Sequence, residues 1–230
     1  MKTKDPVNQY LVDEYQRLGL ETMGLMNSSV WRDDPKRLVF TLSRYKFVAK
    51  MLDGTKRVAE VGCGDGLGSR IVKQSVAELT ITDYDSLFIQ SIKEDPGAPD
   101  GLCAYVHDML TGPLTKKFDA IYSLDVLEHI TPECEGIFLE NLCASLAPSG
   151  LAIIGLPSLE SQAHASPESK QGHVNCKSGA QLKITLERYF RHVFVFSMND
   201  EVVHTGFYPM AHYLLALCCD QKKDLEVLES

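Results

Sequence analysis

Strand-like and helix-like segments alternate along most of this chain, and this alternation constrains the fold more than any other feature of the sequence. The strand-like segments are RVAEVG, ELTITDYD, LCAYVHDML, FDAIYSLD and LAIIGLP. The helix-like segments around them are KRLVFTLSRYKFVAKML, LGSRIVKQSVA, DSLFIQSIKE, PECEGIFLENLCASL and AQLKITLERYF. Such an alternation predicts a parallel sheet with helices on both of its faces.

The last two strand-like segments, VFVFSMND and MAHYLLALCC, follow one another without a helix and predict an antiparallel hairpin at one side of the sheet. We therefore predict an α/β, doubly wound, Rossmann-like fold with seven mostly parallel strands and a C-terminal antiparallel strand. The 230 residues suffice for one such domain, 1–230. Within it we expect residues 1–40 to form a helical N-terminal cap, or lid, and residues 41–217 to form the core.

A glycine-rich turn follows the first predicted strand, in the stretch RVAEVGCGDGLGS at residues 57–69. Glycines at such a turn admit positive φ and let the backbone approach a ligand closely. The dinucleotide fingerprint G-x-G-x-x-G fails in both registers, because its third glycine would fall on Leu67 or on Ser69. A turn that serves only strand–helix packing is the alternative to a ligand site.

Two carboxylates at strand ends indicate the chemistry of the ligand. Glu60 ends the first strand, where an acid is unfavourable beside a pyrophosphate and favourable beside an ammonium or sulfonium group. Asp83 ends the second strand, where a carboxylate can accept hydrogen bonds from both ribose hydroxyls. The predicted ligand therefore has a ribose and a positive charge but no phosphate, and S-adenosylmethionine fits this description.

Five motifs, in this order, resemble class I S-adenosylmethionine-dependent methyltransferases of the small-molecule type, similar to the ubiquinone-pathway enzymes. They are VAEVGCGDG, ITDYD, VHDM, FDAIYSLDVLEHI and LAPSGLAIIGLP, within a resemblance that covers residues 40–217. The resemblance implies a methyltransferase with S-adenosylmethionine as its cofactor and a Rossmann-like fold.

The residues that this resemblance implies in cofactor binding are Arg44, Glu60, Gly62, Cys63, Gly64, Asp83, Tyr84, Asp108, Met109, Leu124 and Asp125. The resemblance places the residues of the glycine turn and of the end of the fourth strand beside the methionine moiety. It places those at the second strand's end on the ribose and an adenine face, and the 108–109 turn on the adenine edge. Arg44 is a candidate for the methionine carboxylate, and a solvated helix arginine is the alternative.

Methyl transfer to a hydroxyl or an ammonium group requires removal of a proton, by a base or with the help of a metal. The loops at the carboxyl edge of the sheet supply the candidates. His173, in SKQGHVNC, is the predicted base and His204 the second catalytic candidate, with a histidine that only shapes its loop as the alternative. His164, Asn199 and Tyr208 are the substrate-binding candidates.

A further trio follows the fourth strand, where Asp125, Glu128 and His129 are predicted to share one helix face at i, i+3 and i+4. This spacing resembles the metal-binding acids of ubiquinone-pathway O-methyltransferases and of small-RNA 2′-O-methyltransferases. The sequence D-V-L-E-H is also common in class I members that carry no metal, where Glu128 and His129 serve packing. We expect no metal.

Charge and cysteine usage narrow the partners. A net charge of −8 disfavours a duplex nucleic acid, and no apolar stretch has the length of a membrane span. Methyltransferases that act on base amino groups typically carry Asn/Asp-Pro-Pro-Tyr/Phe after strand four, where this chain has SLDVL. Seven scattered cysteines without a C-x-x-C pair predict reduced thiols and a cytoplasmic protein.

These observations predict a methyltransferase that modifies an oxygen or nitrogen of a small-molecule acceptor, without a nucleic-acid or membrane partner. A sugar, an amino-acid-derived compound and a secondary metabolite are all compatible acceptors. We expect a monomer or a homodimer. A nucleic-acid or protein methyltransferase and a non-catalytic cofactor-binding partner subunit are the alternatives.

Overall fold

The computed structural model describes residues 1–94 and 101–222. Within these residues, eight strands form one sheet: Arg57–Val61 (β1), Glu78–Asp83 (β2), Leu102–Val106 (β3), Phe118–Leu124 (β4), Leu146–Pro157 (β5), Phe190–Asn199 (β6), Val202–His204 (β7) and Tyr213–Gln221 (β8). The strand order is β3-β2-β1-β4-β5-β8-β6-β7. Strands β1 to β5 pair in parallel, while β8 is antiparallel to both β5 and β6.

This sheet confirms the predicted α/β fold and the antiparallel C-terminal pair. It has one strand more than the predicted seven, because Val202–His204 pairs with the end of β6 inside the segment that the sequence predicts as a loop. Three partly exposed residues are too short a run to show the alternation by which a strand is recognised.

The α-helices are Gln9–Leu18 (α1), Gly24–Asp33 (α2), Pro35–Met51 (α3), Ser69–Lys73 (α4), Ser86–Lys93 (α5), Pro132–Ser145 (α6), Pro167–Gly172 (α7) and Gly179–Glu187 (α8). Helix α3 begins where the sequence predicts it, because the Asp34 side chain accepts the N–H of Lys36 at 3.2 Å and Pro35 occupies the first turn. Helix α4 is much shorter than its predicted segment.

The two faces of the sheet carry separate apolar cores. Ile121 and Tyr122 of β4 are both fully buried but belong to opposite faces, as the period of two requires. Helices α6 and α8 cover the face of Ile121, and α3, α4 and α5 cover the face of Tyr122. Both faces are therefore buried, and the polar site is confined to the edge where the parallel strands end.

The N-terminal helices differ in how they meet the core. Helix α1 has no buried residue, whereas α2 lies on the glycine turn. The backbone N–H of Asn27 in α2 donates to the Asp65 carboxylate at 2.8 Å, and Arg70 pairs with Glu21 at 2.6 Å. Among the residues that the structure describes, no helix is long and apolar enough to span a membrane.

Candidate active site

The glycine turn lies directly against the loop that follows β4. Gly62, Gly64 and Gly66 have φ values of 80°, 52° and 72°, in the left-handed region that favours glycine. A Cβ on Gly62 would also meet the Val126 side chain at 2.1 Å. This close approach requires a glycine and brings the ends of β1 and β4 together at one site.

The backbone N–H groups of Gly62, Cys63 and Gly64 are already used within the protein. Gly62 and Cys63 both donate to the carbonyl of Thr82, at 2.8 and 3.0 Å, and Gly64 donates to the Asp83 carboxylate at 2.9 Å. The resemblance implies that the backbone of Cys63 and Gly64 contacts the cofactor. Because their N–H groups are engaged, this backbone offers carbonyl oxygens and van der Waals contact to a ligand.

Asp83 is held rigidly at the end of β2. One carboxylate oxygen accepts the N–H of Gly64 at 2.9 Å, and the other accepts the N–H of Asp85 at 2.9 Å. Asp83 is only 6% exposed. Because a carboxylate has about four acceptor sites, two further hydrogen bonds, such as those of a ribose diol, can still be accepted.

Glu60 lies beneath the turn and is fully buried. Its Oε2 accepts hydrogen bonds from the Tyr122 hydroxyl at 2.6 Å and the Ser69 hydroxyl at 2.5 Å. Burial outweighs these hydrogen bonds and raises the pKa of Glu60 to about 7. Among the described residues, Oε1 has no hydrogen-bond partner.

Arg44 reaches from α3 to the end of β4 and pairs with Asp125. Its Nη1 lies 2.8 and 2.6 Å from the two carboxylate oxygens, and its guanidinium lies 3.7 Å from the Tyr213 ring centroid. Arg44 is 8% exposed, so it is not the solvated helix arginine considered above. Asp125 has a φ of 57°, which turns the chain sharply after Leu124, a buried residue.

The remaining predicted cofactor residues follow β2 and β3. The Tyr84 side chain is largely exposed beside Asp83. Asp108 folds its own turn, because its Oδ1 accepts the N–H of Leu110 at 2.8 Å. Met109 is buried and its carbonyl accepts the side-chain amide of Asn141 at 2.7 Å.

Three acid–base groups meet beyond the end of β4: Glu128, His129 and His173. One nitrogen of each imidazole and a Glu128 oxygen all lie within 4.8 Å of one another. Glu128 is 1% exposed, and neither of its carboxylate oxygens has a hydrogen-bond partner within the described ranges. Burial and the neighbouring Asp125 carboxylate raise the pKa of Glu128 well above its usual value.

This cluster differs from the predicted trio on one helix face. Of this segment only Leu127–His129 is helical, as a 3₁₀ turn. Asp125 lies before this turn with a positive φ, so it does not share a helix face with Glu128 and His129. Asp125 therefore pairs with Arg44, and His173 from the distant β5–α8 segment takes the third place beside Glu128 and His129.

His173 has one engaged and one open ring nitrogen. Its Nδ1 lies 2.8 Å from Oε1 of Gln162, and in the part of the chain that the structure describes its Nε2 has no hydrogen-bond partner. Burial and the neighbouring His129 lower the pKa of His173. The imidazole is therefore uncharged at neutral pH, and a lone pair is available.

His204 has no such open nitrogen. Its Nδ1 accepts the backbone N–H of Gly206 at 3.0 Å, and its Nε2 lies 2.8 Å from the side-chain Oδ1 of Asn199. Both nitrogens thus shape the β6–β8 connection. Tyr208 packs on Gly179 in the same region, where a Cβ would meet its ring at 2.5 Å.

His164 is exposed in the 3₁₀ helix Glu160–His164. This helix packs against the 3₁₀ helix Tyr208–Met210. The two loops that carry the predicted acceptor-side residues therefore lie side by side.

The loop that carries His173 is anchored by residues that the sequence analysis does not single out. The N–H of Asn175 donates to the Glu128 carbonyl at 3.0 Å, and its side-chain amide donates to Glu135 at 2.7 Å. Glu135 also pairs with Lys177 at 2.7 Å, and both side chains are largely buried. No local pattern indicates these contacts, because Asn175 and Glu135 are 40 positions apart in the chain.

The residues of the cluster also fit a divalent cation. Two imidazoles and a carboxylate form a common zinc donor set. The Nδ1 atoms of His129 and His173 lie 2.9 and 2.8 Å from the oxygens of Gly172 and Gln162, which is the hydrogen bonding typical of metal-ligating histidines. The expectation that no metal binds here thus stays a prediction.

A model of the family described as a methyltransferase domain matches residues 30–197 of this chain. The chain belongs to this family. The match includes the glycine turn, Asp83 and the β4 end, and it confirms the predicted S-adenosylmethionine-dependent class I methyltransferase.

The methyltransferase is 28% identical over 104 residues to the mitochondrial ubiquinone biosynthesis O-methyltransferase of Schizosaccharomyces pombe. The matched segment covers 43% of this chain and 37% of that relative. The chain thus spans little more than a third of the relative's length.

Solved structures share the fold at low identity. The N-methyltransferase NodS from Bradyrhizobium japonicum, in complex with S-adenosylhomocysteine, is 18% identical with a TM-score of 0.63, over 91% of this chain and 98% of that one. The DhpI–S-adenosylhomocysteine complex is 14% identical with a TM-score of 0.62, over 92% and 94% of the two chains. The cofactor of the methyltransferase is S-adenosylmethionine, as predicted.

Proposed function

We propose that this methyltransferase transfers the methyl group of S-adenosylmethionine to an oxygen or nitrogen of a small-molecule acceptor, and that His173 removes the acceptor's proton. The observation that carries the proposal is the open Nε2 of a neutral His173 beside Glu128 and His129. A base of this kind serves an acceptor that loses a proton on methylation.

In the proposed reaction, a lone pair of the acceptor attacks the methyl carbon in line with the breaking carbon–sulfur bond. S-adenosylhomocysteine leaves, and the acceptor's proton passes to Nε2 of His173. Holding the acceptor in line supplies much of the rate. The adjacent loops around His164 and Tyr208 are proposed to hold it, with Asn199 and His204 shaping that wall.

The cofactor-binding residues predicted above are proposed in the same roles. Asp83 takes the ribose diol, and the buried Glu60 and the partly exposed Asp125 offset the positive charge at the methionine end. Arg44 is proposed to take the methionine carboxylate, and its ion pair with Asp125, a residue proposed for the same end of the site, supports this role. Gly62 provides the close backbone approach.

Two observations support a small acceptor. The net charge of −8 opposes a polyanionic substrate. The similar proteins are named an O-methyltransferase of ubiquinone biosynthesis and an N-methyltransferase, which supports oxygen or nitrogen as the acceptor atom. A cytoplasmic location is also proposed, supported by seven cysteines that are all free thiols.

The acceptor class can be tested by S-adenosylhomocysteine release in the presence of separate pools of hydroxylated metabolites, amines, RNA, DNA and protein. We expect release above background with a hydroxylated or amine pool. The control is the His173→Ala variant with the same pools. Release only with a nucleic-acid or protein pool would contradict a small acceptor, and cofactor binding without release in any pool would favour a non-catalytic subunit.

The unpartnered oxygens of Glu128 favour a second candidate mechanism, in which a divalent cation at Glu128, His129 and His173 lowers the pKa of a bound acceptor hydroxyl. Such a cation would be held by the same three side chains and would replace His173 as the agent of deprotonation.

We expect turnover to survive removal of divalent ions, because burial and the neighbouring Asp125 carboxylate raise the pKa of Glu128 and so weaken its carboxyl as a metal ligand. The measurement is S-adenosylhomocysteine release after dialysis against EDTA. Loss of turnover by EDTA, with recovery on adding magnesium or zinc, would instead establish the cation mechanism.

A further inference from the structure

Gln162 is the one side chain that contacts the engaged nitrogen of His173 within the described ranges. It lies in the 3₁₀ helix Glu160–His164, and its Oε1 is 2.8 Å from Nδ1 of His173. Which nitrogen of a histidine carries the proton is set by the hydrogen bond that the other nitrogen or its proton makes. The orientation of the Gln162 amide therefore decides the tautomer of His173.

That orientation is determined by the other end of the amide. Nε2 of Gln162 donates to the backbone carbonyl of Ser158 at 3.2 Å and to the hydroxyl oxygen of Ser161 at 3.3 Å. A carbonyl can only accept, so the NH₂ group must face Ser158 and the oxygen must face His173. Since that oxygen can only accept, Nδ1 of His173 carries the proton.

The anchor is itself immobilised. Ser158 is fully buried at the end of β5, and its hydroxyl donates to the carbonyl of Ala211 at 2.6 Å, just before β8. The backbone N–H of Ser161 in turn donates to the Ser158 hydroxyl at 3.1 Å. The amide of Gln162 is thus held by the edge of the sheet, not by solvent.

We propose that Gln162 is a positioning residue, which holds His173 in the Nδ1–H tautomer and so keeps the lone pair of Nε2 directed to the acceptor. The role of that lone pair rests on the proposed function, whereas the tautomer rests only on the hydrogen bonds. Without this hydrogen bond the other tautomer places the proton on Nε2, and the base is blocked.

The test uses a substitution that removes the acceptor and one that keeps it. Gln162→Leu has a similar size but no oxygen, whereas Gln162→Glu retains an acceptor for Nδ1–H. The matched control is Gln171→Leu, at an exposed position of α7 in the same β5–α8 segment. Binding of S-adenosylhomocysteine by calorimetry verifies that each variant is folded.

The primary readout is the tautomer, observed by long-range ¹H–¹⁵N correlation of histidine-labelled protein in EDTA, at a pH where the imidazoles are neutral. The His173 signal is identified by its loss in His173→Ala. We expect Nδ1–H in the wild type, Gln162→Glu and Gln171→Leu, and a shift to Nε2–H in Gln162→Leu. An Nε2–H signal in the wild type, or an unchanged signal in Gln162→Leu, would overturn the proposal.

The second readout separates positioning from binding. Gln162→Leu should lower kcat about 10- to 100-fold, the usual cost of losing such an outer partner, with the KM for S-adenosylmethionine within about twofold. Gln162→Glu should recover most of the loss. If His173→Ala keeps the wild-type kcat, the proposed function of His173 fails while the tautomer result still stands, so the two failures are distinguishable.

Discussion

Replacing His173 by alanine should lower kcat by roughly 10²–10⁴, the usual share of a general base. The reason is that the uncharged imidazole with an open Nε2 is lost, while the residues proposed to bind the cofactor are untouched. The measurement is turnover with the acceptor, followed by the release of S-adenosylhomocysteine. Cofactor affinity is determined in parallel by calorimetry. We expect that affinity to remain that of the wild type.

The pH profile gives the same prediction a second readout. Because burial and His129 lower the pKa of His173, the base form persists below pH 6.5, and kcat/KM should fall only as the pH drops through that lowered pKa. In His173→Ala this acidic limb should disappear.

The matched control for this substitution is His192→Ala, an exposed histidine near the beginning of β6, at the opposite edge of the sheet. It should leave kcat unchanged. Turnover within about twofold of the wild type for both His173→Ala and His204→Ala would contradict the placement of the base on these loops.

Replacing Asp83 by alanine should weaken S-adenosylmethionine and S-adenosylhomocysteine binding about 10- to 100-fold. Hydrogen bonds to a charged group are worth roughly 1.5–3 kcal/mol, and each 1.4 kcal/mol corresponds to a factor of ten in affinity. The same substitution frees the N–H of Gly64 and so loosens the glycine turn. Calorimetry with both ligands measures the effect, and NAD and ATP should give no heat with the wild type.

Two variants separate the parts of this effect. Asp83→Asn keeps an oxygen that can accept the N–H of Gly64 but loses the charge, so it should bind more tightly than Asp83→Ala and more weakly than the wild type. Asp119→Ala, at the start of β4 and paired with Arg57 at the far edge, should bind as the wild type does. Wild-type affinity in Asp83→Ala would refute the ribose assignment.

Much of the fold was predictable because its signals are local. The apolar run that ends at Glu60, the glycines at 62, 64 and 66, and the acid at Asp83 all lie in short segments. A strand's period of two and a glycine's φ depend on neighbouring residues alone. The location of the cofactor site at the carboxyl edge then follows from the handedness of the crossovers.

The short strand β7 and the shortened helix α4 were not predictable, because each has too few residues to show a period. The position of β8 between β5 and β6 was not predictable either, because the hairpin pattern does not indicate which of its two strands pairs with β5. The extent of these elements and the pairing of β8 depend on which apolar surface remains to be buried.

The sequence by itself determined the α/β class, the glycine turn, the family and the cofactor, since these depend on ordered local motifs. Only the tertiary structure decided which polar groups meet. Arg44 finds Asp125 81 positions away, and His173 joins Glu128 and His129 from a separate loop. Loop side chains carry no periodic signal, and the partner of each is set by how the β5–α8 segment packs on α6 through Asn175 and Glu135. The acid–base chemistry proposed for this methyltransferase therefore depends on packing that no short motif encodes.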